Sequence, residues 1–188
     1  MTTPFTVAPG QLTMPVTGDD HTIGPAAAPV TVVQYGDYQC PYSRAAQPVV
    51  RELLRLRQGT VRYAYRHFPL LAVHPYAEIA AETAEAAGTR GRFWQLHDRL
   101  FEHQDALDPA QLTRGVVALA LPAAEVIDEV NNHIYLSRVQ RDFTSGTRSG
   151  VNGTPAFFVN GVRHDGGYGT PELVDAVDRA AEAARHAG

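Results

Sequence analysis

Apolar residues first become nearly continuous at Val30-Thr31-Val32-Val33-Gln34-Tyr35, a β-branched run suited to a buried central strand. The spacing then changes. Ala46, Val49, Val50, Leu53 and Leu54 form one stripe of a helix over Ala45 to Arg57, with Gly59 just beyond it. Pro48 falls inside that helix and is expected to kink it, because proline supplies no backbone N–H. Val61 to Arg66 alternates as a second strand, which a right-handed helical crossover would leave parallel to the first.

From Pro75 to Phe143 the period is helical. One helix opens at Pro75 and ends at Gly88; a second, Arg92 to Gln104, places Phe93, Leu96, Leu100 and Phe101 on one face. Asp108-Pro109 reads as an N-cap followed by a first-turn proline. Leu121-Pro122 opens the longest predicted helix, with Val126, Ile127, Val130 and Ile134 inward. β structure returns at Ala156 to Val159, where Asn160-Gly161 predicts a hairpin into Val162-Arg163-His164. Thr170-Pro171-Glu172 opens a last helix reaching about Arg185.

Residues 1–29 carry five prolines and three glycines and are read as an extended N-terminal arm outside the core; residues 30–188 form one domain. At 188 residues and 44% hydrophobic, the chain can bury a single substantial core. A net charge of -4 without a basic block argues against nucleic acid as a partner. All 16 basic residues are Arg, which excludes a Walker phosphate loop, a Schiff-base lysine and a pyridoxal phosphate linkage. No apolar stretch approaches bilayer-spanning length, no basic residue precedes Arg44, and a signal-type apolar core is lacking. A cytoplasmic protein without membrane contact is the expectation.

Candidate chemistry centres on Cys40, the single cysteine, in Gln39-Cys40-Pro41-Tyr42-Ser43 between the first strand and its helix. Backbone N–H groups and the positive dipole end at a helix start favour a thiolate, the form that attacks disulfides. Polar neighbours point to an accessible thiol rather than a buried structural one. Ser43 stands where a Cys-x-x-Cys motif would carry its second thiol, so the chemistry must run on one sulfur. Asp37 and Tyr42 flank it and could tune access or charge. His97 and His103 do not share a helix face, and His67, His74 and His164 lack ligand spacing; no metal site is expected.

Tyr35-Gly36-Asp37-Tyr38-Gln39-Cys40-Pro41-Tyr42, Pro48, Arg66-His67-Phe68-Pro69-Leu70, Phe93-Trp94-Gln95-Leu96-His97-Asp98 and Ser149-Gly150-Val151-Asn152-Gly153-Thr154-Pro155 resemble segments of bacterial DsbA-like proteins of the thioredoxin superfamily, across residues 15–186. The resemblance implies an α/β thioredoxin fold: a central mixed four-stranded sheet with a helical block, about residues 75–145, inserted between the second strand and the C-terminal hairpin. It also implies that Thr154-Pro155 is a cis-proline loop facing Cys40 and pairing with extended substrate. Dithiol members have cysteine at the position of Ser43 and commonly an acid at that of Gln34; both are missing.

The expected activity is therefore monothiol thiol–disulfide exchange. Cys40, in a motif completed by Pro41 and Tyr42, attacks with help from the helix N-terminus and a Ser43 hydroxyl donating to the thiolate, Thr154 and Pro155 bind substrate, and an external thiol resolves the mixed disulfide. Partners would be thiol- or disulfide-containing proteins or small molecules, with no resident cofactor and glutathione or another low-molecular-weight thiol as co-substrate. Two alternatives stand beside it: a kappa-type glutathione transferase or isomerase using Ser43 or Cys40 to stabilise bound thiolate, and a redox-silent peptide-binding module.

Overall fold

The computed structural model describes residues 10–186. Its first elements are β1 (His21–Ile23), β2 (Val30–Gly36), α1 (Pro41–Leu56) and β3 (Val61–His67). A helical block follows: α2 (Ala77–Gly88), α3 (Phe93–Glu102), α4 (Pro109–Ala118), α5 (Ala123–Asn131) and α6 (Leu136–Arg148). The chain closes with β4 (Ala156–Val159), β5 (Val162–His164) and α7 (Thr170–His186). The sheet runs β1-β3-β2-β4-β5, with β2 and β3 parallel and the other pairs antiparallel. Asn160 and Gly161 both take positive φ, 46° and 80°, as a tight hairpin between twisted strands requires.

Alternation along the strands sorts the core into two layers. Val30, Val32, Tyr63, Tyr65, Phe157 and Val159 face α1, α2, α3 and α7. On the opposite face Val33, Tyr35, Ala64, Phe68, Ala156 and Phe158 pack with Leu12, Val16, Leu70 and Val151. The backbone of α6 approaches this second face closely at Gly146, where a Cβ would meet the Phe68 ring at 2.7 Å and Tyr35 at 3.0 Å.

Two expectations change here. The sheet has five strands rather than four, because β1, from the region read as an arm, pairs antiparallel with β3. Residues 1–9 of that arm lie outside the described residues; in the remainder Leu12 and Val16 pack against the second layer and Asp20 is buried, while residues 23–27 are exposed. Arg66, 2% exposed, holds this segment in place: its guanidinium donates to both Asp20 carboxylate oxygens at 2.8 and 3.1 Å, to the carbonyls of Met14 and Pro15, and to the Tyr35 hydroxyl. Burial alone would raise the Asp20 pKa, but the Arg66 hydrogen bonds outweigh it and hold the carboxyl below its ordinary value.

The helix expected from Leu121-Pro122 is the other correction. It breaks into α5 and α6 at His133, whose φ of 53° ends the helix while its ring bonds Glu82 at 2.8 Å. Ile134, expected inward, is 59% exposed, and α7 is the longest helix at 17 residues. Pro48 sits within an unbroken α1, and Asp108 caps α4 through the N–H groups of Ala110 and Gln111. Among the described residues no helix is long and apolar enough to cross a membrane.

Candidate active site

The parallel strands β2 and β3 end at the same edge of the sheet, and the chain leaving β2 delivers Cys40 there as the N-cap of α1. Pro41 occupies the first helical position, where its missing N–H costs nothing. No side chain caps the helix, so its first-turn N–H groups remain oriented toward the thiol end. The Thr154–Pro155 peptide is cis, and the Cys40 thiol donates to the Thr154 carbonyl at 3.2 Å across that loop.

Cys40 is only 4% exposed, against the accessibility expected from its polar neighbours. Those neighbours turn their polar groups inward to fix the loop. The Asp37 carboxylate accepts from the N–H of Gln39, the N–H of Leu70 and Nδ1 of His74, while its carbonyl accepts from the Cys40 N–H. Gln104 donates to the carbonyls of Tyr38 and Cys40. Tyr42, by contrast, is 64% exposed beside the site.

Ser43 is fully buried, and its Oγ accepts from the Asp37 N–H at 3.3 Å. No hydrogen bond joins it to Cys40 among the described residues, so the expected donation to the thiolate is replaced by a hold on the preceding turn. Gln34, also fully buried, accepts from the Tyr63 hydroxyl at 2.7 Å and leaves its Nε2 without a partner. A neutral amide thus stands on the strand behind the thiol. Tyr65, whose hydroxyl is likewise unpartnered, lies against Gly36, where a Cβ would come within 2.6 Å of its ring.

A hydrogen-bonded chain supports α1 from below. Burial raises the Tyr38 hydroxyl well above its ordinary pKa, and burial, followed by the charges of His67 and His21, lowers His97 well below its own. With both groups neutral, the tyrosine hydroxyl donates to His97 Nδ1, His97 Nε2 donates to the Gln47 carbonyl oxygen, and Gln47 donates to the Ser43 carbonyl. Sequence spacing shows only that His97 does not share a helix face with His103; the signal that could have found its role is its place on the same α3 face as Phe93 and Phe101, aimed at α1. Further back, Glu85 accepts from His67 Nε2 at 2.8 Å and His21 Nε2 at 3.0 Å.

Residues 16–179 match the family model described as Thioredoxin. The chain belongs to the thioredoxin family. Its architecture is DsbA-like: the structure superposes on α-DsbA1 from Wolbachia pipientis with a TM-score of 0.79, covering 93% of this chain and 96% of that one at 20% identity. A thioredoxin-like oxidoreductase from Silicibacter pomeroyi DSS-3 gives 0.79 at 26% identity, covering 88% and 94%. In sequence, the chain is 47% identical over 175 residues to a protein named Na(+)/H(+) antiporter NhaA 3 from Salinispora tropica. That match takes 93% of this chain but 27% of the relative, so the chain spans about a quarter of the length of the curated relatives it matches.

Proposed function

We propose that the protein is a monothiol thiol–disulfide oxidoreductase. The observation carrying this reading is a lone thiol at an uncapped helix start, hydrogen-bonded to the carbonyl before a cis proline, with Ser43 in place of a second cysteine. The Cys40 thiolate attacks one sulfur of a disulfide, forming a mixed disulfide and releasing the other sulfur as a thiol. An outside thiolate then attacks the substrate sulfur, frees Cys40 and leaves as the new disulfide. Glutathione or another small thiol of a reduced cytoplasm would serve for this second step.

Intact mass after exposure to oxidised glutathione tests it: one adduct on the wild type, none on Cys40→Ala, and release by reduced glutathione. No adduct on the wild type overturns the reading. Turnover of an electrophile with bound glutathione and no adduct would select the transferase alternative, for which the inward-bonded Ser43 offers little support.

The longer relatives suggest a protein substrate. A domain joined to a larger chain meets the rest of it at high effective concentration, and the relative's printed name is that of an antiporter. A cation antiporter is accordingly proposed as a disulfide-bearing partner. Co-expression followed by thiol quenching should recover it linked to Cys40; recovery of the two proteins unlinked would remove this partner.

A further inference from the structure

Two buried polar atoms without a partner lie on β3, near the edge of the sheet that delivers Cys40. They are the Tyr65 hydroxyl and Nδ1 of His67, on residues that are 0% and 1% exposed. Tyr65 and His67 are two positions apart on one strand, so their rings share a face and lie 5.6 Å from each other. Tyr65 starts opposite Gln34 in the strand register, yet its hydroxyl ends beside Gly36, the residue opposite His67, where a Cβ would come within 2.8 Å of it. The ring therefore leans along the sheet toward the turn that carries Cys40. Buried polar groups are nearly always paired, and two neighbouring ones without partners require an account.

The bonds already made decide what each atom can do. His67 Nε2 donates to the Glu85 carboxylate at 2.8 Å, which leaves Nδ1 of the neutral ring as a lone-pair acceptor. Glu85 also accepts from Nε2 of the half-buried His21 at 3.0 Å, and His21 opens the cluster to solvent. From α6, Asp142 accepts the His67 backbone N–H and pairs with Arg138, whose Nε stands 3.9 Å from Glu85. Tyr38 and His97, both neutral through burial, also face the ring. Burial holds the Tyr65 hydroxyl well above its ordinary pKa, and the charges of Tyr38, Tyr63, Asp37 and Cys40 add to that. A carboxylate that fixes one imidazole nitrogen and leaves the other free is the arrangement of a general base.

Cys40 is 4% exposed beneath the Thr154 loop, so its proton needs an acceptor within the protein. We propose that His67 is that acceptor and Tyr65 the bridge to it: the thiol proton passes to the Tyr65 oxygen as the hydroxyl proton passes, over one buried water, to His67 Nδ1. Cys40 is left as a thiolate facing the Tyr65 O–H, and His67 as an imidazolium on Glu85. No phenolate forms, because the tyrosine oxygen gains one proton as it gives up the other. A water held between two otherwise unpartnered buried groups is an ordinary part of a protein interior. The inference rests on the exchange reading for its purpose, and the place of the proton can be measured apart from that reading.

Tyr65→Phe removes one oxygen that has no partner in the fold, so the variant should keep the wild-type urea midpoint. Its Cys40 should react with iodoacetamide about fivefold or more slower than wild type near pH 6.5, and the gap should close above about pH 9.5, where the thiol ionises without help. Thiolate absorbance should move to higher pH in step. The place of the proton is read by NMR of protein labelled with 15N-histidine, a comparison that leaves Tyr65 unchanged. At a pH where the thiolate is present, His67 Nδ1 should be protonated in the wild type and unprotonated in Cys40→Ala. Superimposable alkylation profiles for wild type and Tyr65→Phe, a lowered urea midpoint in Tyr65→Phe, or a His67 Nδ1 state indifferent to Cys40 would overturn the relay; a glutathione adduct on the wild type would then leave exchange standing. The relay signatures without any glutathione adduct would retain the relay and overturn exchange.

Discussion

The Cys40 thiol and the Thr154 carbonyl share a hydrogen bond of 3.2 Å across 114 positions of sequence, and the sulfur lies beneath the loop it bonds. Reagents must therefore reach a residue that is 4% exposed. Iodoacetamide should label Cys40 faster than a bulky maleimide does after each rate is normalised to a free peptide thiol. A ratio of about ten, equivalent to about 1.4 kcal/mol of steric discrimination, is expected. Equal normalised rates would show that the loop does not screen the sulfur.

Ser43→Cys restores the Cys-x-x-Cys spacing at the start of α1. Oxidation of that variant should remove two hydrogens in the intact mass and prevent a stable glutathione adduct, because the second thiol resolves the first. Persistence of the adduct would place the new thiol out of reach. The substitution also removes the hydroxyl that accepts from the Asp37 N–H, so a loss of about 1 kcal/mol in urea unfolding is expected alongside the gain in redox chemistry.

Arg66→Ala leaves the Asp20 carboxylate buried and unpaired, along with the carbonyls of Met14 and Pro15. A loss of about 3–5 kcal/mol is expected in equilibrium urea unfolding. Adding Asp20→Ala should cost less than the sum of the two single changes, since no lone charge remains. Additive losses would mean that the pair contributes only as separate contacts.

Glu85 provides a pH signature. Burial alone would raise its pKa, but the hydrogen bonds from His21 and His67 bring the carboxyl well below the ordinary carboxylate range. A depressed carboxylate adds stability that is present above its unfolded pKa of about 4.3 and lost as pH falls toward the folded value. Glu85→Gln should be about 2 kcal/mol or more less stable than wild type at pH 7, and the gap should narrow steadily below about pH 4.3. A constant gap from pH 7 to 3 would show that Glu85 does not titrate with unfolding.

Local signals in the sequence account for much of this architecture. Alternation in Val61 to Arg66, the Asn160-Gly161 turn and the Asp108-Pro109 cap each depend on neighbours a few residues away, and each element formed where its pattern indicates, β3 running one residue further to His67. Other features depend on distant partners. Asp20 joins the core through Arg66, 46 positions away, while the proline-rich composition around it suggests only an extended segment. Apolar spacing from Val126 to Ile134 is continuous, yet His133 turns out of the helix toward Glu82. At Ser43, local spacing identifies a position in the motif, whereas the direction of its hydroxyl is set by the buried turn at Asp37.

β1 also has a consequence for solubility. Its His21–Ile23 segment occupies the outer side of β3, and β5 is equally brief at the other margin of the sheet. Short margins offer few free backbone groups for pairing with another molecule. Displacing the segment held by Arg66 would uncover the Tyr63-Ala64-Tyr65 stretch of the seven-residue strand β3, turning a loss of anchorage into a route to self-association.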